Sequence, residues 1–457
     1  MTRPVEMPLW LLLLLLAFAA VTFASHFLFP SVRWFFRRRL ERAVDRLNER
    51  LTRPIEPFKL ARRHDMIQRL VYDPQVTEAV VGYAERRGVR EDVAFEKARR
   101  YAREIVPSFS AFTYFSFGTR AADWLGRMLY DVRTGPDNEA VLAGIDKDAT
   151  VIFIMNHRSN MDYVLVTTLA AKASALSYAV GEWARVWPLS RLIKSMGAYF
   201  IRRRSRGELY RAVLARYVQM ATTNGVTQAI FPEGGLSLDG RLRPPKLGLL
   251  SYVVDGHDPA GRDVVFVPVA INYDRVLEDR VLVAAAARGD RRFGARMTVI
   301  LRFILSMLWR RMRGKFRRFG VAEVIFGAPV SLKEFGTPTD LDALAHDLMH
   351  RIEDEMPLLF VPLTARVLLG AETPLDEATL KARVEAEIAA ADAPPPPEPK
   401  DGLDAALAEA RRILAERDLI RETPGGWTAA AGAGPLLTFY ANSIAHFFED
   451  RDAASAK

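Results

Sequence analysis

The spacing of apolar residues divides the chain into stretches of different kind. Pro8 to Pro30, PLWLLLLLLAFAAVTFASHFLFP, carries no Asp, Glu, Lys or Arg, and such a run is long enough to cross a bilayer core. From residue 33 to about 140 the apolar positions recur at helical spacing. DPQVTEAVVGYAERRG opens on Asp73-Pro74 as cap and first turn and closes at Gly88, and VAFEKARRYAREIVPSFS stops at Pro107. From about residue 147 the texture changes. ATVIFIMNH, TQAIFPEGG and DVVFVPVAINYD are short apolar runs rich in β-branched residues, and helical stretches such as RGELYRAVLARYVQMATTNG separate them. Strands alternating with helices predict an α/β domain with a mostly parallel sheet. AADAPPPPEPK, residues 390–400, reads as an exposed proline-rich linker, and a small helical tail follows it.

Charge refines this division. Arg33, Arg37, Arg38 and Arg39 follow the first apolar run, whereas only Arg3 precedes it. The run is longer than a signal peptide's apolar region. The arginines behind it predict a single membrane anchor with the body of the protein on the cytoplasmic side. The whole chain of 457 residues is half apolar, with a formal charge of +9. That balance calls for an anionic partner. Residues 291–318 concentrate ten Arg or Lys with no acid around an apolar middle, which predicts a helix lying on anionic lipid. No nucleic-acid-binding signature accompanies the charge. With no cysteine, thiolate nucleophiles and cysteine-bound zinc are excluded.

Candidate chemistry sits where the strands end, the usual place for ligands in such sheets. NHRSNMD places His157 just past the first strand and Asp162 five positions on. A carboxylate bonded to one ring nitrogen fixes the tautomer and stabilises the imidazolium formed when the other nitrogen takes a proton. No G-x-S-x-G accompanies the pair, because Asp239 stands where the second glycine of GGLSLDG is needed. The simplest use of the pair is direct: His157 deprotonates a bound hydroxyl that attacks an activated carbonyl. His346 and His350 share a helix face in HDLMH but lack the H-E-x-x-H order, so no metal site is expected. Three more clusters lie downstream: GAYFIRRRS, FPEGGLSLDGRLRPPKLG and FVPVAINYD.

In order and spacing, NHRSNMD, GAYFIRR, FPEGG and VPVAINY resemble the four blocks of the glycerolipid acyltransferase superfamily. The helical lead-in, GRLRPPKLGLLSYVV and LLTFYANSIAHFF look like its membrane-bound glycerol-3-phosphate acyltransferase branch. The resemblance implies His157 as general base with Asp162 as partner. It implies an acceptor site lined by Gly197, Phe200, Ile201, Arg202, Glu233, Gly234 and Gly235, with Pro268 on the acyl side. Relatives in this branch carry arginines where Leu236 and Leu238 stand here, so Arg158, Arg202, Arg203, Arg241, Arg243 and Lys246 are the cations left to hold an acceptor phosphate. The implied activity is acyl transfer from acyl-CoA or acyl carrier protein to glycerol 3-phosphate, or to a lysophospholipid, with no cofactor. The expected layout is an anchor and basic helix (1–50), a helical region (51–140), an α/β acyltransferase domain (141–335), a helical extension (336–390), a linker (391–400) and a helical tail (401–457).

Overall fold

The computed structural model describes residues 51–171, 174–181, 189–202, 207–289, 316–336, 339–394 and 402–449, with isolated positions in 8–49, in 306–314 and at 396. The chain forms two compact units, Met1–Pro54 and Ile55–Lys457. Of the apolar N-terminal run, Pro8, Trp10 and Leu12 to Leu16 are described; Trp10 and the leucines are helical and exposed. Among the described residues no helix is long and apolar enough to cross a membrane. The rest of the expected anchor, most of 291–318, Arg203 and most of the proline run lie outside the described residues.

Helices α1 (Arg63–Val71), α2 (Pro74–Arg87) and α3 (Glu91–Ile105) form the lead-in. As the sequence predicts, Asp73 caps α2 by accepting from Gln75 N at 3.1 Å, and Gly88 ends it at φ +59°. On α3 the four-residue series Ala94, Ala98 and Ala102 is fully buried, and small residues at that spacing let neighbouring helices approach closely. A π-helical turn, Thr113–Gly118, runs into α4 (Thr119–Leu129). The region expected to be wholly helical then yields a strand, β1 (Asp131–Thr134), paired in parallel with a strand almost two hundred residues later. Only four residues long and half exposed, β1 lacks the apolar run that marks the inner strands.

The sheet has the order β1-β7-β6-β2-β5-β3-β4, built from β2 (Thr150–Met155), β3 (Ser177–Val180), β4 (Tyr199–Phe200), β5 (Gln228–Ile230), β6 (Val264–Tyr273) and β7 (Val321–Phe326). A further strand, β8 (Val330–Ser331), pairs with β6. The neighbours from β6 through β2, β5 and β3 to β4 are parallel, and β7 runs antiparallel to β6. All six residues of β2 and all ten of β6 are buried, as expected for strands covered on both faces. Helix α5 (Met161–Ala170) follows β2. Pro268 lies in the middle of β6 beside Ile154. Its missing N–H falls between the β7 ladder, which reaches Val269, and the β8 ladder, which starts at Phe266, so no sheet bond is lost.

The C-terminal part packs on the same unit. It includes α6 (Leu341–Asp354), α7 (Phe360–Leu369), a helix over Glu377–Ala390, α8 (Gly402–Ala415), a hairpin β9 (Ile420–Thr423) and β10 (Gly426–Ala429), helix α9 (Gly434–Ala441) and a 3-10 turn Asn442–Phe448. The hairpin interrupts a tail expected to be helical. Pro424-Gly425-Gly426 breaks the helix, and Gly426 turns at φ +115°.

Candidate functional site

The C-terminal ends of β2, β5, β4 and β6 point to one edge of the sheet, and three of the four sequence clusters gather there. Asn156 closes β2. Its side-chain amide donates to Ile271 O and its side-chain oxygen accepts from Ile271 N, both at 2.8 Å. This pair replaces the next rung of the β2–β6 ladder and fixes where His157 begins. His157 N then donates to Glu233 Oε1 at 2.7 Å, and Ser237 N donates to His157 O at 2.9 Å. The FPEGG turn is thereby locked to the histidine backbone.

Asp162 is fully buried and accepts four hydrogen bonds. His157 Nδ1 (2.9 Å), Arg158 N (2.8 Å) and Ser159 N (3.1 Å) donate to Oδ2, and Tyr273 OH (2.6 Å) donates to Oδ1. Being in the first turn of α5 also favours its negative charge. The imidazole is held on both sides. Phe231 lies 4.1 Å away centroid to centroid, and Tyr163 meets it edge-on at 5.4 Å. With Nδ1 directed at the carboxylate, Nε2 is the nitrogen available to take a proton, and among the described residues nothing bonds it. This is the geometry of a general base with a fixed tautomer.

Glu233 is the second unusual group. One oxygen is taken by His157 N, and the other is buried without a partner among the described residues. Burial pushes its carboxyl up to about 7, against the opposing pull of the His157 N–H and of the Arg158 and Arg243 charges. Gly234 follows at φ +68°, and a Cβ there would stand 2.8 Å from Lys246 Cδ. The turn therefore needs glycine, and the Lys246 side chain lies over it. Gly235 is buried beside it, with Leu236 and Leu238 half-buried beyond.

The expected phosphate cations separate into two groups. Arg158 is buried. Its guanidinium donates to Gly240 O, and to Ser443 O at 3.1 Å, and burial brings it down to about 10. Arg202 makes a bidentate pair with Glu104 of α3, at 2.8 and 2.6 Å. Arg241 pairs with Glu449 at 2.5 Å. These three are placed as ties between segments. Arg243, half-buried, and Lys246, exposed, lie beside the Glu233 turn. Phe200 is buried and Ile201 half-buried; Ile201 N extends the β4 pairing to Val180 O at 2.9 Å. Gly197, at φ +92°, precedes β4. A Cβ there would stand 2.9 Å from Leu176 O, so its role is backbone fit.

Sequence reasoning gave no role to Asn156, Tyr163, Phe231, Tyr273 or Glu278. Glu278 accepts from Ser159 Oγ at 2.8 Å and from Asn160 Nδ2 at 2.9 Å, and burial raises its carboxyl. Tyr273 was visible as the end of the last block, but nothing in the spacing said that its phenol reaches Asp162. Among the described residues no cluster of potential metal ligands occurs.

Comparison with known proteins agrees with this geometry. Residues 138–272 match the acyltransferase family, and residues 305–451 match the glycerol-3-phosphate acyltransferase C-terminal region. A glycerol-3-phosphate acyltransferase of Ectopseudomonas mendocina is 30% identical over 280 residues, which cover 60% of this chain and 32% of that protein. A putative acyltransferase, plsB1, of Mycobacterium bovis is 32% identical over 276 residues, covering 57% and 42%. The chain thus spans about a third of the length of the first of these relatives. The crystal structure of the 1-acyl-sn-glycerophosphate acyltransferase PlsC from Thermotoga maritima aligns at 22% identity and a TM-score of 0.32, over 56% of this chain and 80% of that one. One matched region carries the His157–Asp162 pair and the other the segment tied to it through Arg158, so the chain has an acyltransferase region followed by one similar to the glycerol-3-phosphate acyltransferase C-terminal region.

Proposed function

We propose that the protein is an O-acyltransferase that moves a fatty acyl group from an acyl thioester, acyl-CoA or acyl carrier protein, to a hydroxyl of glycerol 3-phosphate. The observation that carries this reading is the His157–Asp162 pair, fixed by four donors and set against the Glu233 turn. In the reaction His157 Nε2 takes the hydroxyl proton, the hydroxyl oxygen attacks the thioester carbonyl, the C–S bond breaks, and the proton passes to the departing thiolate. Base assistance of this kind is worth about 10²–10⁴ in rate. Arg243 and Lys246 beside the turn supply the charge for a phosphate.

One observation favours a second acceptor. Leu236 and Leu238, half-buried on that turn, offer apolar contact and no hydrogen bond, which suits the chain of a lysophosphatidic acid. Membrane attachment through the N-terminal run, with the body cytoplasmic, belongs to the same proposal. In its support, the face of the π-turn and α4 leaves Phe112, Phe117 and Trp124 about half or more exposed, and such aromatics suit a lipid interface.

The test is an acceptor panel: membranes carrying the protein, one labelled long-chain acyl thioester, and a series of hydroxyl acceptors. Labelled lysophosphatidic acid formed from glycerol 3-phosphate is the expected product. Labelled phosphatidic acid alone, formed from added lysophosphatidic acid, would replace the first acceptor by the second. No labelled ester with any acceptor would overturn the acyltransferase reading.

A further inference from the structure

We propose that Tyr273 is a positioning residue of the His157–Asp162 pair: its phenol sets how strongly Asp162 holds the proton on the imidazole. The inference rests on the acyl-transfer reading for its kinetic consequence, but not for its geometry.

The phenol hydroxyl donates to Asp162 Oδ1 at 2.6 Å, the shortest of the four bonds to that carboxylate, and does so from β6, a different strand from the one that delivers His157. The other three donors come from residues 157–159 and all use Oδ2. Tyr273 is therefore the one described donor on Oδ1. It stops the carboxylate from rotating about its bond and draws charge away from the oxygen that faces the ring. Both side chains are buried, Asp162 at 0% and Tyr273 at 1% exposure, so water does not share the load, and a charged hydrogen bond acts at full strength in such surroundings. The ring itself is held separately, packed against Tyr130 at 5.4 Å, so loss of the hydroxyl leaves the packing in place. The block VPVAINY thus does more than form a strand: its register places Tyr273 opposite the first turn of α5.

The direction of the effect follows. Remove the phenol donor and Asp162 has one hydrogen bond fewer to stabilise its charge. More of that charge is left for the imidazole Nδ1–H, and the pair holds a proton more tightly. A base that holds its proton too tightly is already protonated at neutral pH and returns the proton more slowly to the leaving thiolate. The other charged groups around the pair are Glu233 on the His157 N–H, Glu278 on Ser159 and Asn160, and the Arg158 guanidinium. None bonds Tyr273, so all three stay in place when its hydroxyl is removed.

The experiment compares wild type, Tyr273→Phe and Tyr130→Phe in the full chain. The Tyr130 hydroxyl donates to Arg275 O at 2.7 Å and touches neither member of the pair, so Tyr130→Phe controls for loss of a buried phenol. Histidine labelled with carbon-13 at Cε1 reports the titration of His157, assigned by its disappearance in His157→Gln. In Tyr273→Phe the midpoint is expected to rise by about one pH unit, a tenfold tighter hold on the proton. At pH 7 kcat/KM should fall severalfold, at most about tenfold, mostly in kcat. Tyr130→Phe should move neither. A midpoint unchanged in Tyr273→Phe overturns the proposal whatever the activity does. If no protein in the series transfers an acyl group, the acyl-transfer reading fails while the titration still decides the role of the phenol.

Discussion

Individual side chains carry the chemistry, and their environments separate groups that look alike in sequence. His157→Ala should cut acyl transfer at least about a hundredfold without unfolding the protein, since a base normally supplies 10² or more. Residual activity above about a tenth of wild type would remove His157 from the role. The cations make a sharper case. Arg202, an expected phosphate ligand, is already matched by Glu104, and Arg158 is buried against backbone carbonyls. Arg243 and Lys246 lie beside the Glu233 turn, and steady-state kinetics should show Arg243→Ala and Lys246→Ala raising the KM for glycerol 3-phosphate by roughly ten- to a hundredfold, the worth of one charged hydrogen bond. The KM for the acyl thioester should stay nearly constant. From residue types alone, Arg158, Arg202, Arg241, Arg243 and Lys246 were equivalent. The partners of Arg158, Arg202 and Arg241, supplied by segments up to 285 positions away, show what those three tie together. Glu233 gives a pH signature. Its folded carboxyl, raised to about 7 by burial, ionises less readily than in the unfolded chain. Its contribution to stability is thus fully present below the unfolded value near 4.5 and is lost as pH rises to about 7. Glu323, also pushed up to about 7, and Asp274, to about 6, act in the same direction. In thermal unfolding, Glu233→Gln should therefore gain stability relative to wild type between pH 5 and pH 8, and the difference isolates Glu233 from the other two. A gap that stays constant across that range would mean the carboxyl is not neutralised by burial.

Among elements, those with strong periodicity were legible and those made by pairing were not. α2 begins and ends where Asp73, Pro74 and Gly88 place it, and β2, β5 and β6 follow their apolar runs. β1 escaped notice because its partner β7 lies far away in sequence and DVRT has no apolar pattern. The tie between the catalytic turn and the 3-10 segment Asn442–Phe448 is equally invisible in sequence. It depends on the Arg158 guanidinium reaching Ser443 O, with Asn272 Nδ2 bonding Ser443 Oγ at 3.3 Å beside it. Arg158→Ala strands two buried carbonyls, at about 1.5 kcal/mol or more for each charged hydrogen bond. It should therefore lower the unfolding midpoint strongly in chemical denaturation. A midpoint unchanged from wild type would return Arg158 to the list of surface cations.

At the scale of the whole molecule, what the sequence could not convey is how fully its C-terminal third is built into the catalytic unit. The segment expected as a separate tail packs as part of Ile55–Lys457, and Arg417 and Tyr440 from it close around the buried Asp279. The proposed membrane attachment rests on charge and apolar length in the sequence. Two features bear on that attachment apart from the N-terminal run: the exposed Phe112, Phe117 and Trp124, and the basic residues of 291–318, where Trp309 and Met312 are exposed. A chain beginning at Ile55, and so lacking the first unit, should then still bind vesicles containing anionic lipid. Replacing Phe112, Phe117 and Trp124 by serine removes apolar contact and should weaken binding to anionic and neutral vesicles alike. Replacing Arg310, Arg311 and Arg313 by glutamine removes about 1 kcal/mol each near an anionic surface, and that loss should fade as salt rises. Flotation with the two vesicle types at low and high salt separates the contributions. Failure of the Ile55 chain to float with either vesicle type would place the membrane contact in the first 54 residues, and flotation unchanged by both sets of substitutions would mean that neither the aromatic residues nor the basic span touches lipid.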